Sequence, residues 1–374
     1  MVHEIALTIK PTLSCNMRCR HCFNGDDLNT SNLIEVESVY KFLEIASKEY
    51  KDVKVTFHGG EPSLAGFDFY DKVFSYEHRL HEKYGTEFSN NFTTNGLALD
   101  DKIIDLLIAN NVLINVSFDG PYNSVLRQNT NKVYDNICKL QERKAKFRLF
   151  CTISAESYPH LFETYKWFNE RQLNFKILPI EPRGYACEDK TLIMNPDSFV
   201  EELVKVYRYW IKDLNCKVKF YTFEEFAALR RNTQFKPFWF NREIALNPDG
   251  KIYPFGRPND VNFCLGEPSK VSSLEECFNS DEYSRMISIL KECRERFCTE
   301  CESAHICNGV AVCMSYMYVD SEELLKYSCN QSNKIFCNIL KVNDEIIRDF
   351  ENNNIEEYNE VIKKNFGMYA NREG

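Results

Sequence analysis

The sequence has no long apolar run and no cluster of basic residues. No stretch approaches the roughly 20 apolar residues of a membrane-spanning helix. The first five residues lack the charged-then-apolar order of a signal peptide. The formal net charge is -9, and Lys and Arg form no run, which disfavours a nucleic-acid partner. We therefore expect a cytoplasmic protein that binds neither a membrane nor nucleic acid.

Low-complexity linkers and internal repeats are also absent, whereas cysteine is abundant. The 374 residues are 44% hydrophobic, enough for one large domain and a smaller one. Sixteen cysteines occur without an export signal, so thiolate ligation of metal is a better interpretation than disulfides. Three cysteines lie together near the N-terminus, and nine lie between Cys264 and Cys337.

Short β-rich runs alternate with amphipathic helical runs up to about residue 215. The predicted strands are 5–10, 53–58, 87–93, 113–118, 148–154 and 175–180. The predicted helices are 35–49, 67–83, 100–109, 130–145, 158–170 and 196–214. Six successive βα units predict an α/β fold with a parallel sheet, open or curled into a partial (βα)6 barrel. Active sites of such sheets lie at the carboxyl ends of the strands.

The alternation stops after about residue 230. Residues 244–253 read as a β-hairpin with an Asp-Gly turn, followed by the cysteine-rich tract and a helical tail from Asn333. We predict three domains, 1–232, 233–337 and 338–374.

Cys15, Cys19 and Cys22 have the spacing C-x3-C-x2-C directly after the first predicted strand. Three thiolates can bind three irons of a cubane and leave the fourth iron open. The spacing resembles the signature of the radical S-adenosylmethionine (SAM) superfamily. That resemblance implies a [4Fe-4S] cluster whose open iron binds SAM and a 5′-deoxyadenosyl radical as product. A zinc site with His21 as fourth ligand is the alternative.

Three further motifs follow the next strands in the order that this superfamily shows. They are His58-Gly59-Gly60-Glu61-Pro62, Thr93-Thr94-Asn95-Gly96 and Ser117-Phe118-Asp119-Gly120-Pro121. The resemblance implies that Gly59, Gly60 and Glu61 bind the methionine ammonium, and that Ser117 and Arg127 contact the methionine carboxylate or the ribose. It places His21 and Phe23 near the adenine. Asn95 and Asp119 belong to the same predicted cofactor site.

Cys298, Cys301 and Cys307, followed by Cys329, resemble the second half of a SPASM domain, an extension of radical enzymes that modify peptides and proteins. The resemblance implies that these four cysteines hold one auxiliary [4Fe-4S] cluster with roles in electron transfer and structure. A four-cysteine zinc site is the alternative.

The sequence departs from a full SPASM domain at three places. No cysteine occurs in 232–242, Phe255 follows the hairpin glycine where a cysteine is usual, and Ala311 replaces the last cysteine of a C-x3-C pair. We therefore predict a single auxiliary cluster. Whether Cys264, Cys277, Cys293 and Cys313 form a second, irregular site stays open, although buried thiols without a metal are favoured.

The motifs are most similar to those of sulfatase-maturating enzymes, in which an acidic residue after the hairpin cysteine serves as base. Gly256 occupies that place here, which disfavours oxidation of Cys or Ser to formylglycine by that mechanism. The catalytic residues and the oligomeric state are not predicted.

The resemblance implies a radical SAM oxidoreductase that matures a ribosomally made precursor peptide. The reaction would form a thioether or carbon crosslink or epimerise a residue, with a reductant such as flavodoxin or ferredoxin as partner. A dehydrogenase or epimerase of a small molecule, such as an aminoglycoside-like sugar, is the alternative. Because the first predicted strand begins near residue 5, we expect leader recognition, if it occurs, to use another surface or a separate protein.

Overall fold

The computed structural model describes residues 4–29, 32–229, 243–256, 261–307, 313, 315–316, 319, 321–352 and 354–366. The segment 232–242 and Ala311, where the sequence lacks SPASM cysteines, lie outside these residues. Among the described residues, no helix is both long enough and apolar enough to cross a membrane.

The six predicted strands are present within one or two residues of their predicted bounds. The strands are β1 Glu4–Ile9, β2 Asp52–Phe57, β3 Glu87–Thr94, β4 Leu113–Ser117, β5 Phe147–Ile153, β6 Phe175–Pro179, β7 Glu243–Leu246 and β8 Ile252–Pro254. All their described pairings are parallel except β7 with β8, which is antiparallel. The predicted α/β class with a parallel-dominant sheet is confirmed.

The six predicted helices are present as well, and further helices follow. The helices are α1 Val36–Glu49, α2 Phe67–Tyr84, α3 Asp101–Ala109, α4 Asn123–Leu126, α5 Thr130–Glu142, α6 Leu161–Glu170, α7 Tyr185–Glu188, α8 Pro196–Trp210, α9 Tyr221–Ala228, α10 Leu274–Phe278, α11 Asp281–Cys298, α12 Ala304–Cys307, α13 Glu322–Glu351 and α14 Glu360–Asn365. Short 3-10 helices cover Gly25–Asn29, Pro62–Ala65, Gly120–Tyr122, Tyr158–His160, Lys190–Leu192 and Val261–Phe263.

The chain divides into two compact units that do not follow the predicted domain bounds. The first unit comprises Met1–Phe118, Arg127–Arg148 and Phe238–Lys291, and the second comprises Asp119–Leu126, Leu149–Pro237 and Glu292–Gly374. The three predicted domains stay a prediction.

In the first unit the strands lie in the order β4-β3-β2-β1-β7-β8. The predicted hairpin is present, and its strand β7 pairs in parallel with β1, with Ile9 opposite Leu246. The hairpin therefore extends the sheet that carries the N-terminal cysteines. In the second unit β5 pairs with β6, from Leu149 opposite Phe175 to Ile153 opposite Pro179.

One face of the first unit's sheet is apolar and supports the helices. Ile9, Phe57, Phe92 and Val116 lie on it at successive strands, and each is 0% exposed. Because side chains alternate along a strand, their neighbours project to the other face. The helices thus cover one face, and the ends of the strands lead into the loops that bear the motifs.

Two long helices of the C-terminal half differ from the sequence-based expectation. α11 ends at Cys298, within the cysteine-rich tract, for which the sequence predicted no helix. α13 begins at Glu322, eleven residues before the predicted start, with the Ser321 side chain accepting a hydrogen bond from the Leu324 N–H. This N-cap satisfies one of the free amides of the first turn, so the helix includes Cys329.

Candidate cofactor and cluster sites

The N-terminal cysteines lie on the loop that leaves β1. Cys15, Cys19 and Cys22 are all half-buried, and the Cys22 N–H donates to the Cys19 carbonyl over 3.2 Å. The Cys15 sulfur accepts hydrogen bonds from the Met17 N–H at 3.4 Å and from Asn95 Nδ2 at 3.5 Å.

Burial raises the pKa of the Cys15 and Cys22 thiols, while N–H donors to both sulfurs act in the opposite direction. Each of these two pKa values is raised further by another cysteine of the loop, so the three thiols lie within electrostatic reach of one another. Partly buried thiolates that accept N–H hydrogen bonds are the ligands that iron–sulfur clusters use.

Across the described residues, no three His, Cys, Asp or Glu side chains converge on a point where a single metal ion could bind. A cubane carries its thiolates on separate irons, so its ligands do not share one point. The sulfur donors and their N–H partners therefore fit an iron–sulfur cluster.

The loop after β2 packs directly on the cysteine loop. The Gly60 N–H donates to the Thr12 carbonyl at 3.0 Å, and the Glu61 N–H donates to the Ser14 carbonyl at 2.8 Å. Gly59 has a φ of 122°, a conformation that favours glycine. The two glycines of the predicted cofactor motif thus bring the β2 loop against the β1 loop.

Glu61 lies between the loops after β2 and β3. Its carboxylate accepts hydrogen bonds from Ser63, from the Thr94 hydroxyl and from the Asn95 N–H. Burial raises the pKa of the Glu61 carboxyl, and these hydrogen bonds oppose that rise. The predicted binding of the methionine ammonium by this carboxylate stays a prediction.

The aromatic residues predicted to lie near the adenine flank the third cysteine. His21 Nε2 is 3.3 Å from Arg127 Nη2; burial and then the Arg127 charge lower the pKa of His21 well below its usual value. The Phe23 ring is 40% exposed and lies 5.7 Å from the His58 ring. His21, Phe23 and Arg127 therefore lie around the same loop, as the motifs suggest.

The remaining two predicted cofactor residues differ in their surroundings. Ser117 ends β4 and is half-buried. Asp119 is buried, and its Oδ1 accepts a hydrogen bond from the Thr152 N–H at 2.7 Å, while its own N–H donates to Asn123 Oδ1 at 3.0 Å. Through these hydrogen bonds Asp119 connects Asn123 and Thr152 within the second unit. Its predicted place in the cofactor site stays a prediction.

Sequence reasoning missed a row of polar residues across the sheet. Thr8 is paired with Thr56, Thr56 with Asn91, and Thr93 with Asn115, so these side chains share the face opposite the apolar one. Parallel strands covered on both faces are normally apolar throughout. In the sequence, polar residues at every second position of these strands could have predicted a polar face.

Glu243 adds a carboxylate to this polar face. Its Oε1 accepts hydrogen bonds from the Gly256 N–H at 3.1 Å and from Thr8 Oγ1 at 3.2 Å. A Cβ on Gly256 would lie 2.8 Å from Thr8 Oγ1. Gly256 itself has no acidic side chain, but the carboxylate of Glu243, on β7, lies beside it.

The four predicted auxiliary ligands lie together in the second unit. Cys298 ends α11, its carbonyl accepts the Cys301 N–H, and Cys307 ends α12. Burial, and then the charges of Cys298, Cys301 and Cys307, raise the pKa of Cys329 to about 12. A cavity of about 770 Å³ is lined by Cys301 and Cys329. Four adjoining thiols beside open space fit a four-cysteine cluster.

Four of the other five cysteines of the tract fall into two pairs. In the second unit Cys293 and Cys313 are both 0% exposed, and a hydrogen bond between their side chains is the main cause that raises the pKa of Cys313. In the first unit, the charge of Cys264 contributes to raising the pKa of Cys277 to about 12, although burial contributes most. The question of a second irregular cluster stays open.

Residues 9–154 match the family model of the Radical SAM superfamily. The chain therefore contains a radical SAM domain, the class of domain whose cofactors are SAM and a [4Fe-4S] cluster, and the superfamily predicted from the motifs is confirmed. Within this class, the chain is similar to cysteine-type anaerobic sulfatase-maturating enzymes. That of Clostridium novyi (strain NT) is 23% identical over 90% of this chain and 94% of its own length. That of Clostridium perfringens (strain ATCC 13124) is 22% identical over 89% and 95%.

Solved structures share the fold. Native anSMEcpe with bound AdoMet and Cp18Cys peptide has a TM-score of 0.74 and 20% identity over 92% of this chain and 99% of that chain. Streptococcus suis SuiB bound to S-adenosylmethionine has a TM-score of 0.58 and 17% identity over 76% of this chain and 68% of that chain.

Proposed function

We propose that this protein is a radical SAM enzyme that modifies a peptide or protein substrate. The observation that carries the proposal is similarity over nine-tenths of the chain to enzymes named for maturing sulfatases. The solved structures of the same fold include complexes of anSMEcpe with a peptide and of SuiB with its precursor peptide SuiA.

Cys15, Cys19 and Cys22 would hold the first [4Fe-4S] cluster in this proposal. Cys298, Cys301, Cys307 and Cys329 would hold a single auxiliary cluster. With both groups bound, the reduced first cluster and SAM would supply the radical that abstracts a hydrogen atom from the substrate. Electrons would come from a small reductant protein such as flavodoxin or ferredoxin.

The residues of the chain supply binding, orientation and proton transfer. His21 is half-buried beside Arg127, and burial and then the Arg127 charge lower its pKa, so in this proposal the pair presents a ring and a positive charge to the cofactor. Thr56 and Asn91 are half-buried and offer hydroxyl and amide groups on the polar face, which suit the backbone amides of a peptide.

Glu243 is the proton acceptor in this proposal. Its carboxylate lies on the polar face, held by the Gly256 N–H and the Thr8 hydroxyl, and a carboxylate accepts a proton from a substrate after hydrogen abstraction. The absence of an acid at Gly256 therefore gives no reason to disfavour oxidation of a cysteine. The chemical structure of the product identifies which reaction occurs: thioether formation, crosslinking, epimerisation or oxidation.

The test uses anaerobically reconstituted protein with dithionite, SAM and two kinds of peptide. One is the Cp18Cys peptide, and the other is any short precursor peptide encoded beside the gene. We expect 5′-deoxyadenosine together with a mass change or solvent-deuterium uptake in a peptide. The variant with Cys15, Cys19 and Cys22 all changed to Ala should give neither. Turnover of an aminoglycoside-like sugar with every peptide unchanged would overturn the proposal in favour of small-molecule chemistry.

A further inference from the structure

The carboxylate of Glu61 is enclosed by donors of the protein itself. Its Oε1 accepts hydrogen bonds from the Ser63 N–H at 3.0 Å, from Ser63 Oγ at 2.6 Å and from Thr94 Oγ1 at 2.6 Å. Its Oε2 accepts one from the Asn95 N–H at 2.7 Å. The residue is 0% exposed, so a ligand cannot reach this carboxylate unless the surrounding loops move.

Asn95 continues this network to the cysteine loop. While its backbone N–H is bonded to Glu61, its side-chain Nδ2 donates to Asn16 Oδ1 at 2.7 Å and to Cys15 Sγ at 3.5 Å. Its Oδ1 accepts the Leu97 N–H at 2.9 Å, which fixes the orientation of the amide. One residue therefore connects the buried carboxylate to the sulfur of a predicted iron ligand.

We propose that Glu61 is a positioning residue that holds Asn95 against the Cys15 sulfur and does not itself contact SAM. The proposal rests on the cluster site proposed above and assigns this chain's Glu61 a different task from the ammonium binding that the motif implies. Through Asn95, Glu61 sets the redox properties of the cluster before any SAM is bound.

The physical reason is the dependence of a cluster on hydrogen bonds to its sulfurs. A donor to a ligating sulfur stabilises the more negative, reduced state and raises the reduction potential. If Asn95 moves away, the potential of the SAM-free cluster becomes more negative. A carboxylate that only bound the ammonium of SAM would leave the SAM-free cluster unchanged.

Two variants test the network at its two ends. Glu61→Gln keeps the shape of the side chain, but an amide cannot accept from all four donors, and its NH2 would face the Asn95 N–H. Asn95→Ala retains the backbone N–H to Glu61 and removes the donor to Cys15, together with the side-chain hydrogen bonds to Asn16 and from the Leu97 N–H. Ser63→Ala is the matched control, because it removes one donor to Glu61 and none of the hydrogen bonds of Asn95.

The measurements are iron content, a potentiometric titration of the SAM-free cluster followed by electron paramagnetic resonance, and the Kd for SAM. We expect Glu61→Gln and Asn95→Ala to shift the potential to more negative values and to weaken SAM binding less than about tenfold. Ser63→Ala should keep the wild-type potential.

A Glu61→Gln protein with the wild-type potential and SAM binding weakened about a hundredfold would overturn the proposal, since that is the loss expected for a direct charged hydrogen bond. If Glu61→Gln does not load a cluster, Asn95→Ala decides, and a wild-type potential in that variant contradicts the network. Failure of the wild-type protein to hold any [4Fe-4S] cluster would instead refute the proposed function.

Discussion

Gly60 lies so close to Leu13 that a Cβ on Gly60 would be 2.1 Å from the Leu13 carbonyl oxygen. The two residues belong to the loops after β2 and β1, which are also joined by the hydrogen bond from the Glu61 N–H to the Ser14 carbonyl. The glycine is therefore required by contact between two loops of the protein.

Gly60→Ala should separate these loops. We expect the free energy of unfolding to fall by about 1–3 kcal/mol, as for overpacked sites, and the iron content of reconstituted protein to fall with it. Gly66→Ala is the control, because Gly66 has a positive φ of 81° that strains an alanine, whereas a Cβ there would meet no described atom within 4 Å, so this variant should lose stability but not iron. Equal losses in both variants, measured by thermal unfolding and iron analysis, would contradict the role assigned to the contact.

The two cysteine sets should each hold about four irons. Wild-type protein reconstituted without oxygen should contain about eight, and changing Cys15, Cys19 and Cys22 to Ala should leave about four. Changing Cys293 and Cys313 to Ala is the matched control, because both thiols are buried in the second unit but outside the predicted ligand set. Loss of about four irons in that control would show that the auxiliary ligands are wrongly assigned.

Glu77 should make stability depend on pH. This residue of α2 is buried, with Asn90 Nδ2 donating to its Oε2 at 2.7 Å, and burial raises the pKa of its carboxyl from 4.5 to about 8. Between pH 4.5 and 8 the folded state therefore binds more protons than the unfolded state, and this group lowers stability progressively as the pH rises.

Glu77→Gln removes the charge and retains an acceptor for Asn90. We expect it to raise the melting temperature at pH 8.5 and to change it little at pH 4.5, with up to about 1.4 kcal/mol gained for each pH unit between the two pKa values. The exposed Glu87→Gln is the control. A gain that is the same at both pH values would exclude this explanation.

Glu243→Gln should separate radical formation from product formation. Glutamine can still accept from the Gly256 N–H and the Thr8 hydroxyl but cannot take a proton at pH 7. Once a peptide substrate is found, we expect 5′-deoxyadenosine to form while the rate of peptide product falls about 10²- to 10⁴-fold. Glu49→Gln is the control, since Glu49 accepts from the Leu274 N–H elsewhere in the first unit. An unchanged product rate would remove Glu243 from the mechanism.

The C-terminal half was predicted less well than the first half. The sequence predicted β1 to β6 within one or two residues of their bounds. Short β-rich runs and amphipathic helical runs differ in the spacing of their apolar residues, so each type of element could be recognised. α11 was not predicted, because the cysteine-rich tract was interpreted from the spacing of its cysteines as cluster ligands and not from its apolar period. The early start of α13 depends on Ser321 as N-cap, a signal that the cysteine pattern obscured.

The sequence by itself determined the α/β class, the three-cysteine loop after β1 and the order of motifs at successive strand ends, because periodicity and spacing are local properties of the chain. Only the tertiary structure decided that Glu61 is enclosed by donors from two loops, that Asn95 reaches Cys15 and that Glu243 lies beside Gly256. These relationships join residues that are 13 to 80 positions apart, and they arise from strand pairing and loop packing, which the chain forms only when it is folded.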